Sequence, residues 1–98
     1  MSIQFKTIRE LRDMLDTKAI SCEELAYETH KLAEDLKELN CFVTMNKDAS
    51  IEKSKIIDQA DKADSVLSGI PLAQKDLFCT EGLRTTCSSK ILSNFIPP

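Results

Sequence analysis

Several residue types are scarce in this 98-residue chain, and each shortage excludes a structural feature or a class of protein. There is no tryptophan and only 5% of the residues are aromatic, so the core must be built from aliphatic side chains. No apolar run approaches the roughly eighteen residues that a membrane-spanning helix needs, so we expect no membrane span. The first residues lack the basic stretch and apolar core of a secretory signal, and they are not arginine-rich as a transit peptide would be.

Positive charge is also in short supply. The chain has 13 basic and 16 acidic residues, which gives a net charge of −3. Proteins that bind nucleic acid through its phosphates present clustered lysine and arginine. The charge balance therefore argues against a broad phosphate-binding face on this segment.

Potential metal ligands are few and widely spaced. The cysteines are Cys22, Cys41, Cys79 and Cys87, with no Cys-x-x-Cys pair, and His30 is the single histidine. A zinc site needs closely spaced ligand pairs, so we expect no metal site in this chain. Reduced thiols in a cytosolic protein are the favoured interpretation, and we assign His30 no function.

Two helix starts are marked by the spacing of a capping box, in which Ser or Thr is followed three residues later by Glu. Thr7 with Glu10 has this spacing, and so does Ser21 with Glu24. Apolar residues follow each start at steps of three and four, which indicates one apolar stripe on each helix. A coiled coil would also fit the second stripe, but its short length favours packing within a domain. The predicted helices cover about residues 8–16 and 22–39.

The rest of the chain alternates between strand and helix signals. Residues 41–45 and 70–75 are predicted as strands, and residues 50–67 and 89–94 as helices. Two strands joined through a helix usually lie parallel in one sheet. The sequence therefore predicts an α/β fold.

The main candidate for a functional site is the stretch Gly69-Ile70-Pro71-Leu72-Ala73-Gln74-Lys75-Asp76-Leu77-Phe78-Cys79. If residues 70–75 form a strand, Lys75 lies at its carboxyl end on the face of Ala73, and Gln74 points to the opposite face. Sites in α/β proteins are commonly built at that end. Taken by itself, a lysine at a strand end is far more often a solvated surface residue than part of a functional site.

This stretch carries a family resemblance. Residues 69–92 read Gly-Ile-Pro-Leu-Ala-x-Lys-Asp-Leu-Phe-Cys-Thr-x-Gly-x-Arg-Thr-Thr-Cys-x-Ser-Lys-Ile-Leu, which resembles the catalytic-lysine region of the amidase signature family. A weaker, collinear similarity extends over the upstream helices. The resemblance implies that residues 1–98 are the amino-terminal part of a single amidase-signature domain. That part would comprise the amino-terminal helices and the first strands of the family's mixed-sheet fold, truncated.

The resemblance also implies a role for Lys75 as general base or charge relay in a Ser-cisSer-Lys triad. Both serines of that triad belong to a glycine- and serine-rich segment further downstream in the family. Ser88 and Ser89 have no glycine-rich surroundings, so we do not assign the nucleophile to either. We therefore expect an amino-terminal fragment with one of three triad members, inactive alone and with a solvated Lys75.

Within the family, the chain is most similar to the branch that hydrolyses glutamine for a tRNA-dependent amidotransferase. The resemblance implies a cytoplasmic heterotrimer with subunits B and C that acts in translation. The partner subunit would use ATP and Mg²⁺ to activate Glu-tRNA(Gln), would contact the tRNA, and would receive the ammonia. No cofactor is implied for this segment itself.

Three other interpretations stay open: a stand-alone amidase of the same family, a non-catalytic helical interaction module, and a gene product without function. The roles of the residues around Lys75 are open as well. Asp76 is expected to hydrogen-bond the loop that follows it. Two roles fit the polar residues that follow: they form the wall beside the lysine, or they only make hydrogen bonds within the loop. These residues are Arg84, Thr85, Thr86 and Ser89.

Overall fold

The structure is a computed structural model that describes residues 3–60 and 62–98. The described part contains three α-helices, which are α1 (Ile8–Asp16), α2 (Cys22–Asp35) and α3 (Lys47–Asp58), and two 3-10 helices (Lys37–Leu39 and Lys90–Leu92). Within those residues, no helix combines the length and the apolar character that crossing a bilayer requires. The chain divides into two compact units. Unit 1 comprises Met1–Leu36 and Lys47–Pro71, and unit 2 comprises Lys37–Asn46 and Leu72–Pro98.

The first two helices begin as the sequence predicts. The Thr7 hydroxyl accepts the Glu10 N–H at 3.1 Å, and the Glu10 carboxylate accepts the Thr7 N–H at 2.6 Å. Ser21 and Glu24 make the same reciprocal pair at 3.0 and 2.9 Å. Both capping boxes are confirmed, and α1 has the predicted bounds. The hydrogen bonds from Thr7 hold the pKa of the Glu10 carboxyl below its ordinary value.

Helix α2 is shorter than predicted. It ends at Asp35, and residues Lys37–Leu39 form a 3-10 turn in place of the last helical turn. Leu36 leaves helical geometry with φ −105 and ψ 19. The 3-10 turn is closed by the Asn40 N–H, which donates to the Lys37 carbonyl at 3.0 Å, and Asn40 itself has a positive φ of 53°. Asparagine tolerates that conformation better than most residues, so it suits the end of the turn.

Helix α3 covers Lys47–Asp58, so the predicted range of 50–67 is wrong at both ends. Asp61, which falls within the predicted range, lies outside the described residues. A carboxylate at a helix carboxyl end is unfavourable, whereas one at an amino end is favourable. Asp58 resolves this by accepting the Cys22 and Glu23 N–H groups at 2.8 and 3.0 Å. These are free donors of the first turn of α2, so the end of α3 is fixed to the start of α2.

The apolar core lies in unit 1. Its buried members are Leu15, Ile20, Cys22 and Leu25, and Leu25 has no exposed surface. Partly buried apolar side chains pack around them: Ile3, Leu11, Met14, Ile57 and Ile70. The core is aliphatic, as the lack of aromatic residues predicts.

Gly69 lies in a turn at the edge of this core and not at the end of α3, which stops at Asp58. The Ile70 N–H donates to the Leu67 carbonyl at 3.0 Å, and Gly69 has a φ of +79°. Only glycine adopts that conformation without strain. A Cβ at Gly69 would lie 2.4 Å from the Cys22 sulfur. The turn therefore approaches the start of α2 too closely for any side chain.

The predicted α/β fold is wrong, because the described residues form helices and no sheet. Residues 41–45 and 70–75 are irregular, and an isolated antiparallel bridge between Thr80 and Leu83 is the nearest approach to strand pairing in the described residues. Strand propensity is expressed when side chains pack on neighbouring strands. Phe42, Val43 and Leu72 are instead 49%, 55% and 82% exposed, so the burial that would favour strands is missing.

The predicted helix over residues 89–94 is also wrong, since only the single 3-10 turn Lys90–Leu92 forms. Ser89 occupies the position before that turn, but its side chain makes no capping hydrogen bond. Without that bond one initiating interaction of a longer helix is lost.

Candidate functional site

Lys75 lies in unit 2, at the end of an irregular segment. Its carbonyl accepts the Phe78 N–H at 3.3 Å, which closes a turn immediately after it. The Lys75 side chain is exposed, as we expected of this chain on its own. Its proposed catalytic role stays a prediction.

A cavity of about 260 Å³ lies beside Lys75 and is lined by residues of unit 2 alone. Of the four residues that could form the wall beside the lysine, Arg84 and Thr85 line this cavity. Thr86 and Ser89 do not. Pockets for whole ligands typically start at about 300 Å³, so this one suits a small group. Its lining comprises Cys41, Phe42, Val43, Thr44, Gln74, Lys75, Asp76, Phe78, Thr80, Leu83, Arg84 and Thr85.

Gln74 lies on the same cavity as Lys75. The strand prediction had placed these two side chains on opposite faces, and that alternation does not apply to the irregular segment observed. The Gln74 side-chain amide donates to the Thr80 hydroxyl at 2.7 Å. This bond joins the segment before Lys75 to the segment after it.

Asp76 binds the loop that follows, which confirms our expectation for it. One carboxylate oxygen accepts the Thr86 N–H at 2.8 Å, and the other accepts the Thr86 hydroxyl in a short hydrogen bond. The Asp76 carbonyl accepts the Cys87 N–H at 2.8 Å. The bonds from Thr86 stabilise the charged carboxylate and lower the pKa of Asp76.

The loop that Asp76 binds contains a tight turn. The Ser89 N–H donates to the Thr86 carbonyl at 2.8 Å, and the two residues between them, Cys87 and Ser88, have φ values of 50° and 59°. Positive φ at both central positions is the geometry of a type I′ turn, which favours glycine or asparagine. For other residues the left-handed conformation costs roughly 1–2 kcal/mol each. The hydrogen bonds of Asp76 and Thr86 supply the restraint that such a turn requires.

Arg84 holds several segments of unit 2 together. Its guanidinium donates to the Thr44 hydroxyl at 3.1 Å, to the Val43 carbonyl at 3.1 Å and to the Ser93 carbonyl at 2.9 Å. The three acceptors come from segments about forty and nine residues away in sequence. Arg84 therefore fixes the cavity wall, and no local sequence pattern signals a contact over that distance.

Among the other candidate ligands and nucleophiles, Cys41 lines this cavity, whereas Cys22, Cys79 and Cys87 do not. Within residues 3–60 and 62–98, no three His, Cys, Asp or Glu side chains gather as a metal site would require. All four cysteines are free, and Cys22 is buried while the others are exposed. Burial, with the hydrogen bond and charge of Asp58, raises the pKa of the Cys22 thiol to about 11, so it is a poor nucleophile.

Comparison with known proteins agrees with the family resemblance of residues 69–92. The Amidase family profile matches residues 24–98. The A subunit of the glutamyl-tRNA(Gln) amidotransferase from Methylobacillus flagellatus is 42% identical over 95 residues, which cover 94% of this chain and 19% of the relative. The protein of the same name from Heliobacterium modesticaldum is 41% identical over 102 residues, which cover all of this chain and 21% of the relative. The one from Aromatoleum aromaticum is 44% identical over 95 residues, covering 94% and 19%.

The chain thus spans about a fifth of the length of the curated relatives it matches. No solved structure is significantly similar to it.

Proposed function

Because the chain belongs to the amidase family, we propose that it forms the amino-terminal part of the glutamine-hydrolysing subunit of a glutamyl-tRNA(Gln) amidotransferase. The observation that carries this proposal is the identity of more than 40% with the A subunits of such amidotransferases over nearly the whole chain. In this role the complete subunit hydrolyses glutamine to glutamate and ammonia. The ammonia then serves to convert Glu-tRNA(Gln) to Gln-tRNA(Gln).

Lys75 is the residue through which this segment takes part in the chemistry. A serine that attacks an amide must lose its proton, and Ser-Lys arrangements are a known way to accept it. A lysine acts as a base only when its neutral form is populated, which burial favours. Lys75 is exposed here, so the rest of the amidase domain must cover it before it acts. The serines of the triad would come from that remaining part.

The proposed assembly is a cytoplasmic heterotrimer with subunits B and C. ATP and Mg²⁺ belong to the partner subunit that activates Glu-tRNA(Gln), and that subunit makes the main tRNA contacts. The net charge of −3 supports this division, because an acidic segment attracts phosphates poorly.

The experiment supplies the downstream part of an amidase domain from a relative. Residues 1–98 are joined to the part of the Methylobacillus flagellatus protein that follows the matched 95 residues. This joined polypeptide is expressed with subunits B and C, and ammonia release from glutamine is measured. Lys75→Met is compared with Lys53→Met, a control at an exposed position of α3.

We expect glutamine hydrolysis by the joined polypeptide, and a loss of at least about 100-fold in kcat for Lys75→Met, the lower end of what a general base contributes. Lys53→Met should retain full activity. A folded joined polypeptide without glutaminase activity, or equal activity of the two variants, would contradict the proposal.

A further inference from the structure

Asp76 and Thr86 form the link between the lysine-bearing segment and the loop that follows it. Asp76 uses both carboxylate oxygens on Thr86 and its carbonyl on Cys87. Since backbone and side chain are both engaged, rotation of the Asp76 side chain alone does not release the loop. The peptide after Lys75 is therefore tied to the loop at three points.

The Thr86 hydroxyl is the central group of this link. It donates to the Asp76 carboxylate and at the same time accepts the Ser88 N–H at 3.1 Å. Thr86 is only 4% exposed, so water cannot readily replace either partner. One hydroxyl thus joins the residue next to Lys75 to the left-handed turn at Cys87 and Ser88.

We propose that Asp76 and Thr86 are positioning residues, which hold the Lys75 backbone fixed relative to residues 84–89 through the Thr86 hydroxyl. This proposal rests on the proposed function, because the position of Lys75 matters only if its amine acts as a base. A base must lie within hydrogen-bond reach of the proton it accepts, and a displacement of about 1 Å can lower the rate about 100-fold. The Lys75 side chain is long and exposed, so the placement of its backbone decides what its amine can reach.

The test compares two changes at one position in the joined polypeptide described above. Thr86→Val keeps the shape of the side chain but removes the hydroxyl, and Thr86→Ser keeps the hydroxyl. Thr29→Val is the matched control, since the Thr29 hydroxyl donates only to the Leu25 carbonyl within its own helix, at 2.7 Å. The readouts are kcat and KM for glutamine.

We expect Thr86→Val to lower kcat about 100-fold with KM changed by less than about 3-fold, because the base is displaced while the substrate still binds. Thr86→Ser should restore kcat to within about 3-fold, and Asp76→Asn should give an intermediate loss because it keeps one acceptor. Thr29→Val should have no effect. An unchanged kcat in Thr86→Val, or a loss that Thr86→Ser does not restore, would overturn the proposal.

The two proposals fail in different ways. If Lys75→Met is inactive and Thr86→Val is fully active, the positioning role alone is refuted. If Lys75→Met is active, the proposed function is refuted and the positioning role with it.

Amide hydrogen exchange of the 98-residue chain gives a second measurement that does not depend on activity. Thr86→Val should speed exchange of the Cys87 N–H at least about 10-fold, and Thr86→Ser should not, because the hydroxyl is the group that bonds both the Asp76 carboxylate and the Ser88 N–H of the turn. Equal exchange in both variants would overturn the proposal even if the joined polypeptide could not be prepared.

Discussion

Replacing Gly69 by alanine tests how closely the turn at Gly69 packs against the start of α2. Two separate effects oppose the change. The φ of +79° costs an alanine roughly 1–2 kcal/mol. In addition, the new Cβ would lie 2.4 Å from the Cys22 sulfur, and such overpacking of a core typically costs about 1–3 kcal/mol. The expected total is therefore about 2–5 kcal/mol.

Gly82→Ala is the matched control for the backbone effect. Gly82 has a similar φ of +72°, but a Cβ there would meet nothing within 4 Å. Gly82→Ala should therefore show only the conformational cost of about 1–2 kcal/mol. The difference between the two variants isolates the contact with Cys22.

Urea unfolding followed by circular dichroism measures both variants, and a third variant completes the comparison. In Cys22→Ala/Gly69→Ala the sulfur is absent, so the double change should be less destabilising than the sum of the two single changes, by about 1 kcal/mol or more. Equal free energies of unfolding for Gly69→Ala and Gly82→Ala, with strict additivity in the double variant, would refute the close packing of the turn on α2.

Three further predictions concern titratable groups of unit 1. Cys22 should react with a thiol reagent at least about 10-fold more slowly than Cys41, Cys79 and Cys87, because it is buried and its pKa is about 11; four equal rates, followed by peptide mass spectrometry, would contradict this. Asp58→Ala should lower the free energy of unfolding by about 1–2 kcal/mol by removing the acceptor for two N–H groups of α2, and Asp58→Asn by less; equal losses would count against the cap. Burial, with the charge of Lys47, lowers the pKa of His30, so its contribution to stability is present above its unfolded pKa of about 6.5 and is lost as the pH falls through the folded pKa. Thermal unfolding at pH 7.5 and 5.5 should show this loss in the natural chain and a smaller one in His30→Gln.

The parts of the fold that the sequence predicts well depend on neighbours within four residues. Both capping boxes and the bounds of α1 follow from such local spacing, and the structure has them as predicted. Asp76 also binds the next loop as predicted, and its partner Thr86 is ten residues away, beyond that range but within the loop that directly follows. Such interactions need no knowledge of the rest of the molecule.

The parts that the sequence does not predict depend on distant residues. Helix α3 ends where Asp58 reaches the start of α2, 36 residues earlier in the chain. The Arg84 guanidinium donates a hydrogen bond to the Thr44 hydroxyl, which lies 40 residues earlier in the chain. The segments predicted as strands carry the right residue types, but strand formation also requires a neighbouring strand and a covered face. Leu72 is 82% exposed, so neither requirement is met there.

The most direct measurement is glutamine hydrolysis by the joined polypeptide with and without the ε-amine of Lys75. We predict ammonia release by the unchanged polypeptide and a loss of at least about 100-fold in Lys75→Met. Undiminished ammonia release by the Lys75→Met variant would contradict the assignment of this segment as the source of the catalytic base.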